Sequence, residues 1–219
     1  MELNRWYYIT YQKKGHKLNI FYDGEKVASD DIGNVQWNDG PIYIGRDPWY
    51  NGVAGAGFDN IQIHNRALSE AEIERTAAGT ILFNDNLVLA LDFAGGVVDG
   101  VIHDMSPFLH HAKVHGNPEM VPGGYPEKPY EAPPLPTGNF MKISDGNQYI
   151  EIPHSDSIAM GKDNGDFTVS WTMLIKTNNG DWRNVFHKGA SDGERQPACW
   201  RYPGQNGLHA RIDTTSGGN

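Results

Sequence analysis

The chain has 219 residues, 38% of them hydrophobic and 11% aromatic, with 26 glycines, 13 prolines and a formal net charge of −9 at neutral pH. That length suits one large domain, the apolar share is enough to bury a core, and the glycine and proline content calls for many turns and favours strands over helices. The acidic balance excludes a sequence-independent grip on nucleic acid or anionic lipid, both of which need basic surfaces, and no 18-residue apolar run is present to insert into a membrane.

Alternating runs of β-branched and aromatic residues begin at once. Trp6–Tyr11 and Lys17–Tyr22 are joined by Lys13-Lys14-Gly15-His16, and Asp23-Gly24 turns the chain into Glu25–Ser29, a β-meander signature. Ile42–Gly45 and Phe58–His64 are further predicted strands. One helix is predicted, Ser69–Ala78, opened by a capping box from Ser69 to Glu72 and closed by Gly79. Strands then recur at Val88–Phe93, Ala112–Val114, Phe140–Ile143, Tyr149–Ile152, Phe167–Lys176, Val185–Lys188, Ala198–Tyr202 and Leu208–Asp213. Asp145-Gly146, Asn179-Gly180, Asp192-Gly193 and Asn206-Gly207 supply turns between several of them. Seven of the 13 prolines lie between Gly116 and Gly138, so residues 116–138 read as a domain linker or a long surface loop, unable to pair inside a sheet. Cys199 is the only cysteine, which rules out an intramolecular disulfide and points to a small buried hydrophobe. The first residues do not read as a secretory signal, so the signal of a secreted parent is expected outside this chain.

Two blocks resemble the laminin-G-like, concanavalin-A-like lectin/glucanase superfamily of jelly rolls. In residues 4–75, NRWYYITYQKKGHKLNIFYDGEKVA, PIYIGRD and FDNIQIHNRALSEAEI are similar to that family's second half; in residues 87–176, LVLALDF, DMSPFLHHAKV, FMKISDGNQYIEIPHSDSI and DFTVSWTMLIK are similar to its first half. The resemblance implies an all-β fold, an antiparallel two-sheet β-sandwich of jelly-roll type with one short helix. The blocks stand in reverse order. Either the chain straddles two tandem domains, or it is a circular permutation: residues 1–80 correspond to the C-terminal half, residues 86–219 to the N-terminal half, and TTSGGN and MELNRWYY are the two sides of one cut hairpin. Half a jelly roll would leave unpaired edges and a bare apolar face. The expectation is therefore one domain over residues 1–219, a monomer, with a domain-swapped dimer as the alternative.

Catalysis has little sequence support. Retaining glucanases need two carboxylates about 5–5.5 Å apart, yet no E-x-D-x-x-E run is present, and Arg211-Ile-Asp213 offers a single carboxylate. An H-E-x-x-H zinc motif is also missing. His103, His110, His111 and His115 cluster in sequence but lack zinc-ligand spacing. Calcium fits better, because it is held by carboxylates and loop carbonyls; the resemblance points to Asp59, Asp92 and Asp104 around a structural Ca²⁺, the alternative being carboxylates that cap turns or pair with arginine.

Carbohydrate modules stack sugar C–H groups on exposed aromatic faces. Of the six tryptophans, Trp6 and Trp171 sit in alternating strands and are expected in the core. Trp49 and Tyr50, Trp182, and Trp200 with Tyr202 lie in or beside loops and are the expected platform, with Arg46, Asp47, Arg183 and Arg201 as polar neighbours; the alternative is that Trp49 and Trp200 cover the sandwich ends. The function implied is a non-catalytic, lectin-like module that binds a polysaccharide or glycan, accessory to an extracellular polysaccharide-active or cell-surface protein. A structural or adhesion module binding a protein partner is the alternative, and a glycoside hydrolase or polysaccharide lyase a more distant one.

Overall fold

Side-chain alternation sets the strands, and the chain alternates from its sixth residue. A computed structural model describes residues 1–49, 54–123, 138–177, 180–191, 193–205 and 207–215. In chain order the strands are β1 (Trp6–Lys14), β2 (Lys17–Tyr22), β3 (Glu25–Asp31), β4 (Ile42–Ile44) and β5 (Ala56–His64); helix α1 (Glu70–Ala77) follows, then β6 (Leu87–Leu91), β7 (Val101–Ile102), β8 (Ala112–His115), β9 (Glu119–Pro122) and β10 (Asn139–Ile143). The series ends with β11 (Tyr149–Ile152), β12 (Phe167–Ile175), β13 (Arg183–Lys188), β14 (Ala198–Arg201) and β15 (Leu208–Arg211).

Two antiparallel sheets form a jelly-roll-type sandwich. One has eight strands, in the order β3-β2-β1-β12-β5-β10-β9 with β6 also on β5; the other has seven, β15-β14-β13-β4-β11-β8-β7. Both draw on both blocks of sequence. Strand β12 lies between β1 and β5, and β4 lies between β13 and β11. The core between the sheets takes alternate residues from each, among them Tyr7, Ile9 and Tyr11 of β1, Val169, Trp171 and Met173 of β12, and Ile42 and Ile44 of β4. Cys199 is in this core as expected: burial pushes its thiol up to about 12, and it accepts a hydrogen bond from the Tyr11 hydroxyl at 3.1 Å.

The other face of the eight-stranded sheet is also covered, by the chain around α1. Phe21, Leu68, Ile73 and Leu82 make a second apolar cluster there. Several of the polar side chains beneath it find partners, as most buried polar groups do. Tyr8 donates to Ser170 Oγ at 2.7 Å, Gln12 Nε2 donates to the Leu68 carbonyl at 2.6 Å, and Leu68 N–H donates to Thr168 Oγ1 at 3.0 Å.

Differences from the sequence reading have local causes. Strand β9 falls inside the proline-rich stretch, but it pairs only with β10 at the sheet edge, where Pro122 is tolerated. Trp6 is half-buried rather than a core residue, with its ring edge-on to Phe140 at 5.0 Å. The cut-hairpin reading of the ends is corrected: β15 pairs with β14 at the edge of the seven-stranded sheet, whereas β1 is interior to the eight-stranded one. Asp213 and Thr215 bond instead to the segment after β3, with Gln36 N–H donating to the Asp213 carbonyl at 2.9 Å and Thr215 N–H to the Asn34 carbonyl at 3.0 Å. Residues 216–219 lie outside the described residues.

Two predicted turn devices form as read. Asp23 and Gly24 both take positive φ, 54° and 89°, the geometry of a two-residue hairpin whose twist matches its strands. At α1 the Ser69 side chain accepts from Glu72 N–H while the Glu72 carboxylate accepts from Ser69 N–H at 2.8 Å. Arg66 grips the same carboxylate through both guanidinium ends, at 2.9 and 2.7 Å, and its hydrogen bonding is the main reason the Glu72 carboxyl is held down to about 2.

Ser69→Ala is expected to lower unfolding free energy by about 1 kcal/mol in urea titration at pH 7. Because the folded carboxyl of Glu72 titrates below its ordinary value of 4.5, its contribution is fully present above that value and is lost as pH falls toward about 2. The stability gap between wild type and Glu72→Gln should therefore narrow as pH is lowered through that window.

Candidate functional site

With one sheet covered by the helix segment, the outer face of the seven-stranded sheet is the large surface left for a ligand. Directly opposed residues of antiparallel strands point the same way, so the register states which side chains share that face. His209 lies opposite Trp200, and Trp200 opposite Asn184. Arg211 lies opposite Ala198, Ala198 opposite His187, and His187 opposite Tyr43. The intervening residues turn inward, as Cys199 does toward Tyr11 and Phe186 toward Trp171, whose rings stack at 5.7 Å.

At the β13–β15 end of this face is a groove of about 460 Å³, and Trp49, Trp182 and Trp200 all line it. Trp49 comes from the segment after β4, Trp182 from the turn entering β13, and Trp200 from β14. Trp49 and Trp182 are 43% and 41% exposed, while Trp200 is 8% exposed and forms part of the base. Its orientation is fixed electrostatically: the indole N–H donates to both oxygens of buried Asp47 at 3.1 Å, and the Arg195 guanidinium lies over the ring at 5.6 Å. His187 bridges the aromatic groups, its ring 4.8 Å from Trp49 and 5.9 Å from Trp200. On the other side, Tyr202 and His209 share a 2.9 Å hydrogen bond and both rings contact Trp182, at 5.1 and 5.3 Å.

Arg195, Arg211 and His209 also line the groove. Burial, and then the two nearby arginines, lower the His209 pKa, so its imidazole is neutral at pH 7 and offers a hydrogen bond rather than a charge. Asn184 lies behind Trp200 on the same face, fully buried, with no hydrogen-bond partner for either its Nδ2 or its Oδ1. Arg211 Nε is buried without a partner as well. Unpaired buried polar groups of this kind cost free energy; Arg211 lines the groove, whereas Asn184 is sealed beneath Trp200 and does not.

The structure thus brings together Trp49, Trp182, Trp200 and, at the margin, Tyr202. Tyr50 lies outside the described residues. Arg46 does not line the groove; its Nε donates to the Asp47 carbonyl at 3.2 Å and its guanidinium packs on Tyr149 at 4.8 Å. Arg201 points away from this face and donates to the Ala54 carbonyl at 3.0 Å, and Arg183 lines a separate pocket with Lys142 and Lys176. Sequence reasoning missed Arg195, His209 and Arg211. The alternation in β15 carried part of the signal, since it puts His209 and Arg211 on one face.

The carboxylates read as calcium ligands sit in different settings. Asp59 is a buried residue of β5 whose Oδ1 accepts from Asn60 N–H at 2.8 Å. Asp92 directly follows the neighbouring strand β6 and accepts from Ala94 N–H at 3.1 Å. Asp104 takes four donors: Ala90 N–H at 2.7 Å and Ser106 N–H at 2.9 Å on Oδ1, Ser106 Oγ–H at 2.6 Å and His110 N–H at 2.7 Å on Oδ2. Those bonds occupy about four lone-pair positions, the capacity of a carboxylate. Among the described residues, no group of three or more His, Cys, Asp or Glu side chains is arranged to hold a metal ion. The sequence-adjacent histidines are otherwise engaged: His111 accepts from Asp104 N–H at 3.1 Å, His110 bonds Ser157 at 2.6 Å, and His115 lies 3.2 Å from Glu151.

The profile of the concanavalin A-like lectin/glucanases superfamily named Laminin_G_3 matches residues 1–74. This is the first of the two blocks that resemble the superfamily, and it spans β1 to β5 and the start of α1. Such similarity points to a lectin-like or other binding module. Neither the curated proteins nor the solved structures contain a match to the chain.

Asn184→Leu replaces two unsatisfied polar groups with an apolar side chain of similar shape. Urea denaturation should show stability unchanged or raised by about 1–2 kcal/mol; a clear loss would mean that the amide holds the fold together.

Proposed function

We propose that the protein is a non-catalytic, lectin-like carbohydrate-binding module, a single sandwich domain over residues 1–219 that serves an extracellular polysaccharide-active or cell-surface parent. One observation carries this reading: three tryptophans remote in sequence converge on one groove of the open sheet face. The two exposed indoles suit sugar C–H faces, while Arg195, Arg211 and His209 suit hydroxyl groups. The similarity of residues 1–74 to a superfamily of lectins and glucanases supports the same reading. Against hydrolysis, Asp47 spends both oxygens on the Trp200 indole, and the other carboxylate of the groove, Asp181, is 67% exposed at its rim, 3.9 Å from Arg183.

The reversed order of the blocks is read as circular permutation. The insertion of β4 between β11 and β13, and of β12 between β1 and β5, supports one self-completed monomer. A structural calcium ion would rest on Asp59 and Asp92, Asp104 being already saturated by its four donors. As a hard cation braced by carboxylates, it would tie β5 to the end of β6.

A glycan array followed by titration of the hits tests the main reading. Trp182→Ala should weaken binding at least about tenfold, or about 1.4 kcal/mol, with an unchanged circular dichroism spectrum, and Arg211→Met should weaken it as well. Binding unaffected by both substitutions would sink the groove as the site. For calcium, millimolar Ca²⁺ should raise Tm relative to EDTA in wild type and leave Asp59→Asn unmoved; equal melting in both buffers would remove the ion from the proposal.

A further inference from the structure

We propose that the ligand is a linear, unbranched glycan lying across the strands, and that Tyr149, Arg46 and His115 form a second, distal subsite for it. This rests on the carbohydrate reading of the groove and adds its direction and length. The groove occupies only the β13–β15 end of the open face, but aromatic side chains continue along the same face beyond it. From Trp49 and His187, 4.8 Å apart, the face passes to Tyr43, directly opposite His187 on β4. The Tyr43 ring lies 6.0 Å from that of Tyr149 on β11, and Tyr149 stacks on His115 of β8 at 4.2 Å with planes 5° apart.

The track therefore crosses the strands β15-β14-β13-β4-β11-β8 in their sheet order. At the usual inter-strand spacing it is about 24 Å long, room for several sugar rings in a row but far more than a terminal sugar needs. Tyr43, Tyr149 and His115 are all partly exposed along it.

The two ends differ in chemistry. At the groove the exposed Trp49 and Trp182 offer flat faces. At the distal end the Tyr149 ring already carries His115 and the Arg46 guanidinium, 4.8 Å from its centroid. That end is thus built to present polar groups: the Tyr149 hydroxyl, the Arg46 guanidinium, and the Glu151 carboxylate that lies 3.2 Å from His115 Nε2. A chain stacked at one end and hydrogen-bonded at the other is held in one direction and one register. This also gives a role to Arg46, which sequence reasoning placed with the tryptophans and the fold sets apart from them.

The test is calorimetric titration with ladders of cellulose, xylan, mannan and alginate oligosaccharides, from disaccharide to octasaccharide. For at least one ladder, affinity should rise at least tenfold from disaccharide to hexasaccharide and then level off. Tyr149→Ala and, separately, Arg46→Ala should abolish that rise while leaving disaccharide binding and the circular dichroism spectrum unchanged, and Tyr149→Phe should keep part of it. Trp182→Ala should weaken every length. Length-independent binding that Trp182→Ala still weakens would overturn the track and leave the groove standing; absence of binding to every ladder would overturn both.

Discussion

Strand β12 is the constraint on which the rest of the molecule depends. All nine of its residues, Phe167–Ile175, are buried, and both of its edges are hydrogen-bonded to strands from the other half of the sequence, β1 and β5. Its inward residues Val169, Trp171 and Met173 enter the core, and its outward residues Thr168, Ser170 and Thr172 are equally inaccessible. A strand buried on both faces needs cover on both. The second sheet supplies one cover and the segment around α1 the other, through such contacts as Thr168 Oγ1 with Leu68 N–H and the Arg66 carbonyl at 3.0 and 2.9 Å.

The asymmetry of the sandwich follows from that double burial. With the helix segment committed to the eight-stranded sheet, the outer face of the seven-stranded sheet is free to carry function. Its inward half is ordinary packing, with Phe186 on Trp171 and Cys199 under Tyr11. Its outward half is polar and aromatic, from Arg211 and His209 at one edge to His115 toward the other. The pleat keeps the two sets apart, so the ligand face can differ in chemistry without disturbing the core. Loops hold the exposed indoles of the groove, Trp49 and Trp182, while strands hold Trp200 and His209. The groove thus joins a rigid base to a rim that can differ from one such scaffold to another.

Several features were legible in the chain because their causes are local. The capping box at Ser69 and Glu72, the Asp23-Gly24 turn and the alternation in β1 each need only a few neighbouring residues. The strand β9 was not legible, since proline content argues against pairing unless the strand is known to lie at an edge. The contrast within the site has the same origin. Trp49, Trp182 and Trp200 stand out as large aromatics near turns, whereas His209 is unremarkable in Leu208–Arg211 until its register partner is known to be Trp200. Arg46 was read with the tryptophans because it precedes Trp49 by only three residues, yet a single turn of backbone sends it to Tyr149.

By itself, the sequence determined the all-β class, the one capped helix, the similarity of its opening block to a lectin and glucanase superfamily, and the residue types available for binding. These depend on periodicity and composition, which act over a few residues. Only the tertiary structure decided which halves of the chain interlock, that the last strand pairs at the far edge rather than with β1, and that Trp49, Trp182 and Trp200 share one groove. Those outcomes depend on long-range register, and register is set by which apolar faces must be covered at once, a condition on the whole chain that no local pattern contains.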